Sequence, residues 1–216
     1  PESGAWARST KSSAKVFGWE GGQEAVGRDI GCVKEAAETI WTIGHSNRSS
    51  SEFIEMLQAH GIRLLADVRR FPGSRRLPHF NREQLSSDLE KAGIAYEHYP
   101  ELGGRRRVLP NSPNTAWRNE AFRGYADHMG SEEFQGGMER LLRAAAKQRT
   151  AILCAEALWW QCHRGLIADW LKARGHTVLH ILSTAKMEEH PFTSAARLVD
   201  GKLSYAAAET APLFPS

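Results

Sequence analysis

The 216-residue chain lacks the features that mark secreted and membrane proteins. It contains only three cysteines, Cys32, Cys154 and Cys162, and this odd number supplies no disulfide framework and favours a reducing compartment. No stretch approaches the roughly 20 consecutive apolar residues of a membrane-spanning helix, and the start lacks the apolar core of a secretory signal. We therefore expect a cytoplasmic protein with no membrane partner.

Strong net charge is also missing, since the formal net charge is only +3. The arginines are unevenly spread, however, and they cluster in residues 69–76 and 105–107. A guanidinium group binds phosphate as a planar fork, so local clusters matter more than the small total. These two segments therefore indicate a polyanionic partner.

From residue 39 onward, short apolar β-rich segments alternate with segments of helical periodicity. The strands are expected near residues 39–44, 63–68, 94–99, 151–156 and 177–182, and Ser49 with Glu52 forms a capping box at the start of the first helix. Such alternation requires right-handed crossovers and a mainly parallel sheet that is covered on both faces. The sequence predicts a single three-layer α/β domain of about five strands over residues 38–183. A loosely structured extension, 1–37, precedes it, and a tail, 184–216, follows.

Most polar candidates follow the carboxyl ends of these strands, where an open parallel sheet holds its ligand. They are His45 after the first strand, Asp67 and Arg69 after the second, and Cys154 and Glu156 after the fourth. Cys162, His163 and Arg164 stand at the start of the last helix, where unpaired N–H groups and the helix dipole favour an anion. We therefore expect these loops to share one crevice.

Several ordered blocks resemble the DUF488 family, a set of small, mostly bacterial proteins with no known function. The similarity covers about residues 39–183 and rests on residues 42–48, 67–69 with Pro72, Ser74 and Phe80, 99–104, 122–126, 154–156, 162–164 and His180. The chain departs from the family at residues 158–161, which are Leu-Trp-Trp-Gln where the family is usually polar. The resemblance implies a domain and candidate residues, but it implies no reaction.

The favoured interpretation is acid–base chemistry on a phosphate-bearing substrate. Glu156 or Asp67 acts on a water, and His45 or His163 moves a proton. Aromatic side chains stack on a heterocycle, and basic groups hold the phosphates. The expected substrate and phosphate contacts are Arg48, Arg69, Arg164, Ser74, Tyr99, Trp159, Trp160, Cys154, Cys162, Arg105 and Arg106.

Within this class, a base-excising glycosylase needs one carboxylate and an aromatic pocket, whereas a nuclease usually needs two carboxylates around Mg²⁺. Aromatic groups outnumber carboxylates near the expected crevice. We therefore predict a hydrolase of the N-glycosidic bond, a metal-independent DNA glycosylase for DNA repair with DNA as partner and no cofactor.

Four alternatives stay open. The protein is a nuclease or another phosphate-ester enzyme, a thiol enzyme that uses Cys162, or a nucleic-acid or nucleotide binding module without catalysis. In the fourth alternative these residues have only structural roles: both crevice cysteines are buried small hydrophobes, and Glu156 pairs with Arg164. A zinc site at Cys154, Glu156, Cys162 and His163 is disfavoured because the spacing matches no standard metal motif.

Overall fold

The computed structural model describes residues 37–207 and confirms an α/β architecture. Its five helices are α1 (Ser50–Ala59), α2 (Arg82–Lys91), α3 (Glu120–His128), α4 (Glu132–Ala145) and α5 (Arg164–Lys172). Its strands are β1 (Thr39–Gly44), β2 (Leu64–Asp67), β3 (Ala95–His98), β4 (Thr150–Cys154), β5 (Thr177–Ile181), β6 (Met187–Glu189), β7 (Arg197–Val199) and β8 (Lys202–Ser204). None of the helices in this described region has the length and apolarity needed to cross a membrane.

The main sheet has six strands in the order β3-β2-β4-β1-β5-β6. The first five in this order run parallel, and β6 runs antiparallel to β5 at the edge. The register sets Gly44 beside Cys154 and Asp67 beside Leu153, so the carboxyl ends of β1, β2 and β4 lie side by side. This arrangement brings the loops that follow those three strands to one edge of the sheet.

Two apolar cores, one on each face of the sheet, make the three predicted layers. On one face, buried residues of α3, α4 and α5 such as Tyr125, Met138 and Leu166 pack against the strands. On the other face, α1 and α2 contribute Phe53 and Leu85. Because both faces are covered, the central strands are buried along nearly their whole length, as expected for a parallel sheet.

The region after Ser183 contains more structure than the sequence indicates. β6 extends the main sheet, β7 and β8 form a hairpin, and the buried Tyr205 hydroxyl donates a hydrogen bond to Asp169 (2.8 Å). Each of these three strands has three residues, which is too short for a periodic pattern to reveal.

The predicted extension lies outside the described residues except for its last position, as do the final residues of the predicted tail.

Gly44, at the end of β1, lies against the backbone of the loop that follows β4. A Cβ atom at this position would lie 1.8 Å from the Glu156 carbonyl oxygen and 2.9 Å from Nη2 of Arg164. We expect Gly44→Ala to lower the free energy of unfolding by about 3 kcal/mol, because the added carbon must displace backbone. Urea denaturation measures the change.

The matched control is Gly136→Ala in α4, where an added Cβ meets nothing within 4 Å. This variant should be as stable as the wild type or slightly more stable, since alanine is the better helix former. Equal stability of both variants would show that Gly44 is not in close contact with the loop.

Candidate functional site

A cavity of about 470 Å³ opens at the carboxyl edge of the sheet. Its size falls in the range of pockets that hold small molecules, roughly 300–1,000 Å³. The lining comes from separate parts of the chain: Arg69, Arg70 and Phe71 after β2, Gly104 and Arg105 after β3, Phe122 and Tyr125 in α3, and Cys154, Glu156, Gln161, Cys162 and His163 around the loop between β4 and α5. The loops therefore converge on one site.

Two cysteines and a histidine form a compact cluster in the wall of this cavity. Cys154 ends β4, and Cys162 and His163 directly precede α5. The Nδ1 atom of His163 lies 3.8 Å from Sγ of Cys154 and 3.9 Å from Sγ of Cys162. Both cysteines are free thiols, and all three ligand atoms lie within 4.8 Å of one another.

The environment of the two thiols separates their pKa values. Burial alone raises the pKa of Cys162, but the hydrogen bond from Cys154 and the nearby His163 and Arg164 together hold that pKa well below its usual range. The same hydrogen bond, followed by burial, raises the pKa of Cys154 well above its usual range. The backbone N–H and the Nε–H of Arg164 both donate to the Cys162 sulfur at 3.4 Å.

Arg164 is a structural group and leaves no donor for a substrate phosphate. Its side chain is buried, and Nη2 donates to the backbone carbonyls of Glu156 (2.5 Å) and Ala157 (3.3 Å), while Nη1 faces the Thr42 hydroxyl at 3.4 Å. These contacts close the loop between β4 and α5. The predicted phosphate role of Arg164 is corrected accordingly, and so is the pairing with Glu156, because the backbone carbonyl makes the contact and the carboxylate does not.

Asp67 is fully buried and is also corrected as a candidate catalytic acid. Its carboxylate accepts hydrogen bonds from Nε of Arg69 (2.9 Å), Nη2 of Arg69 (2.5 Å) and the Tyr96 hydroxyl (2.8 Å). Arg69 lines the cavity, but its remaining Nη1 donates to the Phe80 carbonyl at 2.9 Å. Neither charged group of this pair is available to a substrate, because each one satisfies the other.

His45 is held as a neutral ring outside the cavity lining. It stacks on Phe80 with the ring centroids 4.2 Å apart, and its Nδ1–H donates to the Ser46 carbonyl at 2.8 Å. Burial lowers the pKa of His45 to about 4. These contacts argue against the predicted role in proton transfer, because the ring lies outside the cavity lining and both of its nitrogens face protein groups, Ser46 O at 2.8 Å and Nη1 of Arg69 at 3.4 Å.

Two of the three aromatic residues predicted to stack on substrate belong to the core. Tyr99 is buried and its hydroxyl donates to Glu97 at 2.9 Å. Trp159 is buried and stacks on His180 with centroids 4.6 Å apart. Only Trp160 is accessible, with 48% of its surface exposed.

Three further predicted phosphate contacts hold loops together instead. Arg48 donates from Nη1 to the Gly44 carbonyl at 2.7 Å. Arg106 donates from Nη1 and Nη2 to the Glu133 carboxylate, at 2.9 and 3.0 Å. The Ser74 hydroxyl accepts a backbone N–H at 3.1 Å. These three side chains bond to backbone groups or to a carboxylate of the protein itself. Fewer residues therefore remain to contact a substrate than the sequence predicted.

The accessible part of the site has a different composition from the one predicted. Glu156 is exposed and is the only carboxylate in the lining, with Arg70, Arg105 and the 66%-exposed Phe71 around the same mouth. Arg70 donates to the Arg105 carbonyl at 3.2 Å, which joins the two basic loops. No pattern in the sequence singled out Phe71 as part of the site.

α3 supplies aromatic surface that the sequence argument also omitted. Phe122 and Tyr125 line the cavity, and the Tyr125 ring lies 4.8 Å from that of His163. The block at residues 122–126 marked this helix as part of the resemblance. Of these two rings Tyr125 is buried in the wall and Phe122 is partly exposed, and a single sequence could not show that this helix lines the crevice.

Comparison with known protein families identifies the family of this chain. The model of the family described as "Domain of unknown function DUF488" matches residues 49–171, more than half of the chain. This segment runs from the start of α1 almost to the end of α5 and contains the whole cavity lining described above. No match was found among curated proteins or among solved structures.

Proposed function

The chain belongs to the DUF488 family, and from the cavity that its fold builds we propose that it is a hydrolase acting on nucleic acid, specifically a DNA glycosylase that excises a modified or damaged base. The observation that carries the proposal is the composition of the cavity. A single exposed carboxylate, that of Glu156, stands among aromatic rings and arginines.

The aromatic lining fits a flipped nucleobase. Phe71 and Phe122 offer ring surface in a cavity of about 470 Å³, which is large enough for a base. Stacking of a base on an aromatic side chain contributes about 1–3 kcal/mol and tolerates different bases. An enzyme that acts on a base must take it out of the duplex, and such a pocket compensates the cost of unstacking.

The basic mouth fits the DNA backbone on either side of that base. Arg70 and Arg105 are exposed at the rim, and neither side chain forms an ion pair with a carboxylate in the described region. Arginine binds phosphate through paired, charge-assisted hydrogen bonds. The partner we propose is therefore DNA, and the free thiols of Cys154 and Cys162 accord with a cytoplasmic location.

The reaction needs one carboxylate. Glu156 takes a proton from the attacking water, the water oxygen bonds to the sugar carbon, and the bond from that carbon to the base nitrogen breaks. The proton passes to the departing base, so the products are a free base and an abasic site. A two-metal nuclease needs several carboxylates together, and over residues 37–207 the one close group of three histidine, cysteine or acidic ligands contains no carboxylate.

The proposal is tested with duplexes that each carry one modified or deaminated base. We expect abasic sites, detected by alkaline cleavage, for at least one lesion, and we expect Glu156→Gln to slow their formation by about 100-fold, in the range for loss of a general base. Glu55→Gln is the matched control, because Glu55 is an exposed carboxylate of α1 outside the cavity lining and should leave the rate unchanged.

Two outcomes would overturn the proposal in different ways. Tight DNA binding without abasic sites for any lesion would show a binding module. Excision at the wild-type rate by Glu156→Gln would show that another group activates the water.

A further inference from the structure

The cluster of Cys154, Cys162 and His163 has the dimensions of a zinc site. Zinc–sulfur bonds of about 2.3 Å and zinc–nitrogen bonds of about 2.0–2.1 Å in a tetrahedron place sulfur and nitrogen about 3.6 Å apart and two sulfurs about 3.8 Å apart. The two observed sulfur–nitrogen distances are 3.8 and 3.9 Å. All three ligand atoms lie within 4.8 Å of one another, so a zinc ion fits among them once the side chains move closer together by up to about 1 Å.

The orientation of His163 is also that of a metal ligand. Its Nε2 lies 3.2 Å from the backbone carbonyl oxygen of Val68. Since a carbonyl only accepts hydrogen bonds, Nε2 carries a proton, and Nδ1 is the ring nitrogen that faces the two sulfurs. Metal-binding histidines are commonly fixed in this way, by donating the second ring N–H to a carbonyl or carboxylate.

The charge balance of the buried pair favours a dication. Cys154 and Cys162 are both buried, so both sulfurs can be thiolates only beside a positive charge that balances them. A bound Zn²⁺ deprotonates coordinating thiols, and two thiolates with one neutral imidazole then cancel its charge. The two N–H groups of Arg164 that donate to the Cys162 sulfur remain compatible with a metal-bound thiolate.

The loop geometry explains why spacing in the sequence disfavoured such a site. The two cysteines are eight positions apart, unlike the closely spaced pairs of zinc fingers. The intervening chain includes the short 3-10 helix Trp159–Gln161, and the contacts of Arg164 with the carbonyls of Glu156 and Ala157 close the loop. Closing the loop brings Cys162 beside Cys154.

We propose that Cys154, Cys162 and His163 bind one Zn²⁺ ion whose fourth position is open to the cavity and holds a water. The close group includes no carboxylate, although Glu156 lines the same cavity. Three protein ligands with an open position are typical of catalytic zinc, whereas structural zinc has four. The zinc site is a separate proposal from base excision, because zinc binding can be measured without any substrate. If both proposals hold, the zinc-bound water is the one from which Glu156 takes a proton.

The metal alone is the first probe. Full-length protein purified from zinc-supplemented medium should contain about one zinc per chain by mass spectrometry. Apoprotein titrated with Co²⁺ should develop thiolate-to-cobalt charge-transfer absorption together with the visible bands of tetrahedral cobalt, saturating at one equivalent. These measurements need no variant, so they do not depend on whether a substituted protein folds.

Variants then identify the ligands. Cys162→Ser, Cys154→Ser and His163→Gln should each weaken zinc binding by more than about 10-fold and alter the cobalt spectrum. His60→Gln is the matched control, because His60 is the C-cap of α1, lies outside the cavity lining and has its ring Nε2 2.7 Å from the Ser183 carbonyl oxygen, so this change should alter neither readout. Circular dichroism verifies that each variant is folded.

The result that would overturn the site is wild-type protein that takes up no stoichiometric zinc or cobalt. Equal alkylation rates of Cys162 with and without zinc would also overturn it and would favour a thiol enzyme. Zinc binding without base excision would support the zinc site and reject the glycosylase. Base excision by zinc-free protein would support the glycosylase and show that zinc takes no part in its reaction. The two proposals therefore fail separately.

Discussion

Asp67→Ala is expected to lower the free energy of unfolding by about 3–5 kcal/mol, the usual cost of removing one partner from a buried ion pair. Asp67 is completely buried, and the side chain of Arg69 is 8% exposed. Loss of the carboxylate leaves the guanidinium in the interior with only the Phe80 carbonyl and the His45 ring as acceptors. Urea denaturation at neutral pH measures the change.

A double variant tests whether the lost stability comes from the unpaired buried charge of Arg69. Asp67→Leu combined with Arg69→Met removes both charges together, and it should recover at least half of the lost stability because no unpaired charge remains buried. The comparison pair is Glu139 with Arg143 on α4, whose side chains are 66% and 67% exposed. Glu139→Ala should cost less than about 1 kcal/mol. Similar losses for Asp67→Ala and Glu139→Ala would contradict the structural role of Asp67.

Local patterns predicted the main elements well because local contacts determine them. The strand expected at residues 39–44 is β1 at the same bounds, and the Ser49–Glu52 capping box is present, with Ser49 N 2.9 Å from the Glu52 carboxylate. The three strands after Ser183 were not predicted. β6 is fixed by tertiary pairing with β5, through contacts such as Leu179 with Glu189, and no local signal encodes such pairing.

The place of the site was predictable, but the use of its polar residues was not. In a parallel sheet, the loops after β1, β2 and β4 must meet, and the cavity lies where they do. Polar residues at such an edge either bind a ligand or satisfy buried carbonyls and charges. Arg164 and Asp67 do the second, whereas Glu156 stays exposed. A sequence contains both kinds of residue without distinguishing them.

A buried chain of hydrogen bonds behind the cavity also leads to a prediction about pH. The Nδ1 of His180 lies 2.7 Å from the Thr42 hydroxyl, and its Nε2 lies 2.9 Å from Nδ1 of His190, whose Nε2 lies 2.9 Å from the Asp169 carboxylate. A carboxylate accepts, so His190 Nε2 and then His180 Nε2 donate along the chain, and Nδ1 of His180 accepts from Thr42. His180 is therefore neutral. Burial, followed by the neighbouring His190 and Arg164, lowers its pKa to about 2.

Because the pKa of His180 is lowered, the folded protein becomes less stable as the pH falls. The ordinary pKa of histidine is 6.5, so below that pH the unfolded chain binds a proton at His180 that the folded protein excludes until about pH 2. The stability contribution is complete above pH 6.5 and is lost as the pH falls, at about 1.4 kcal/mol per pH unit. By pH 4.5 the loss from His180 is about 3 kcal/mol.

The measurement is the free energy of unfolding in urea at intervals from pH 7.5 to 4.5. His180→Asn removes the titrating ring, so we expect its stability to fall less steeply below pH 6.5, by about 1.4 kcal/mol per pH unit relative to the wild type, and equally above that pH. His60→Asn is the control, because His60 is more accessible than His180 and contacts only the Ser183 carbonyl among the described hydrogen bonds. It should leave the wild-type slope unchanged. Parallel profiles for wild type and His180→Asn would show that His180 takes up a proton in the folded protein, and that the buried chain tolerates the charge.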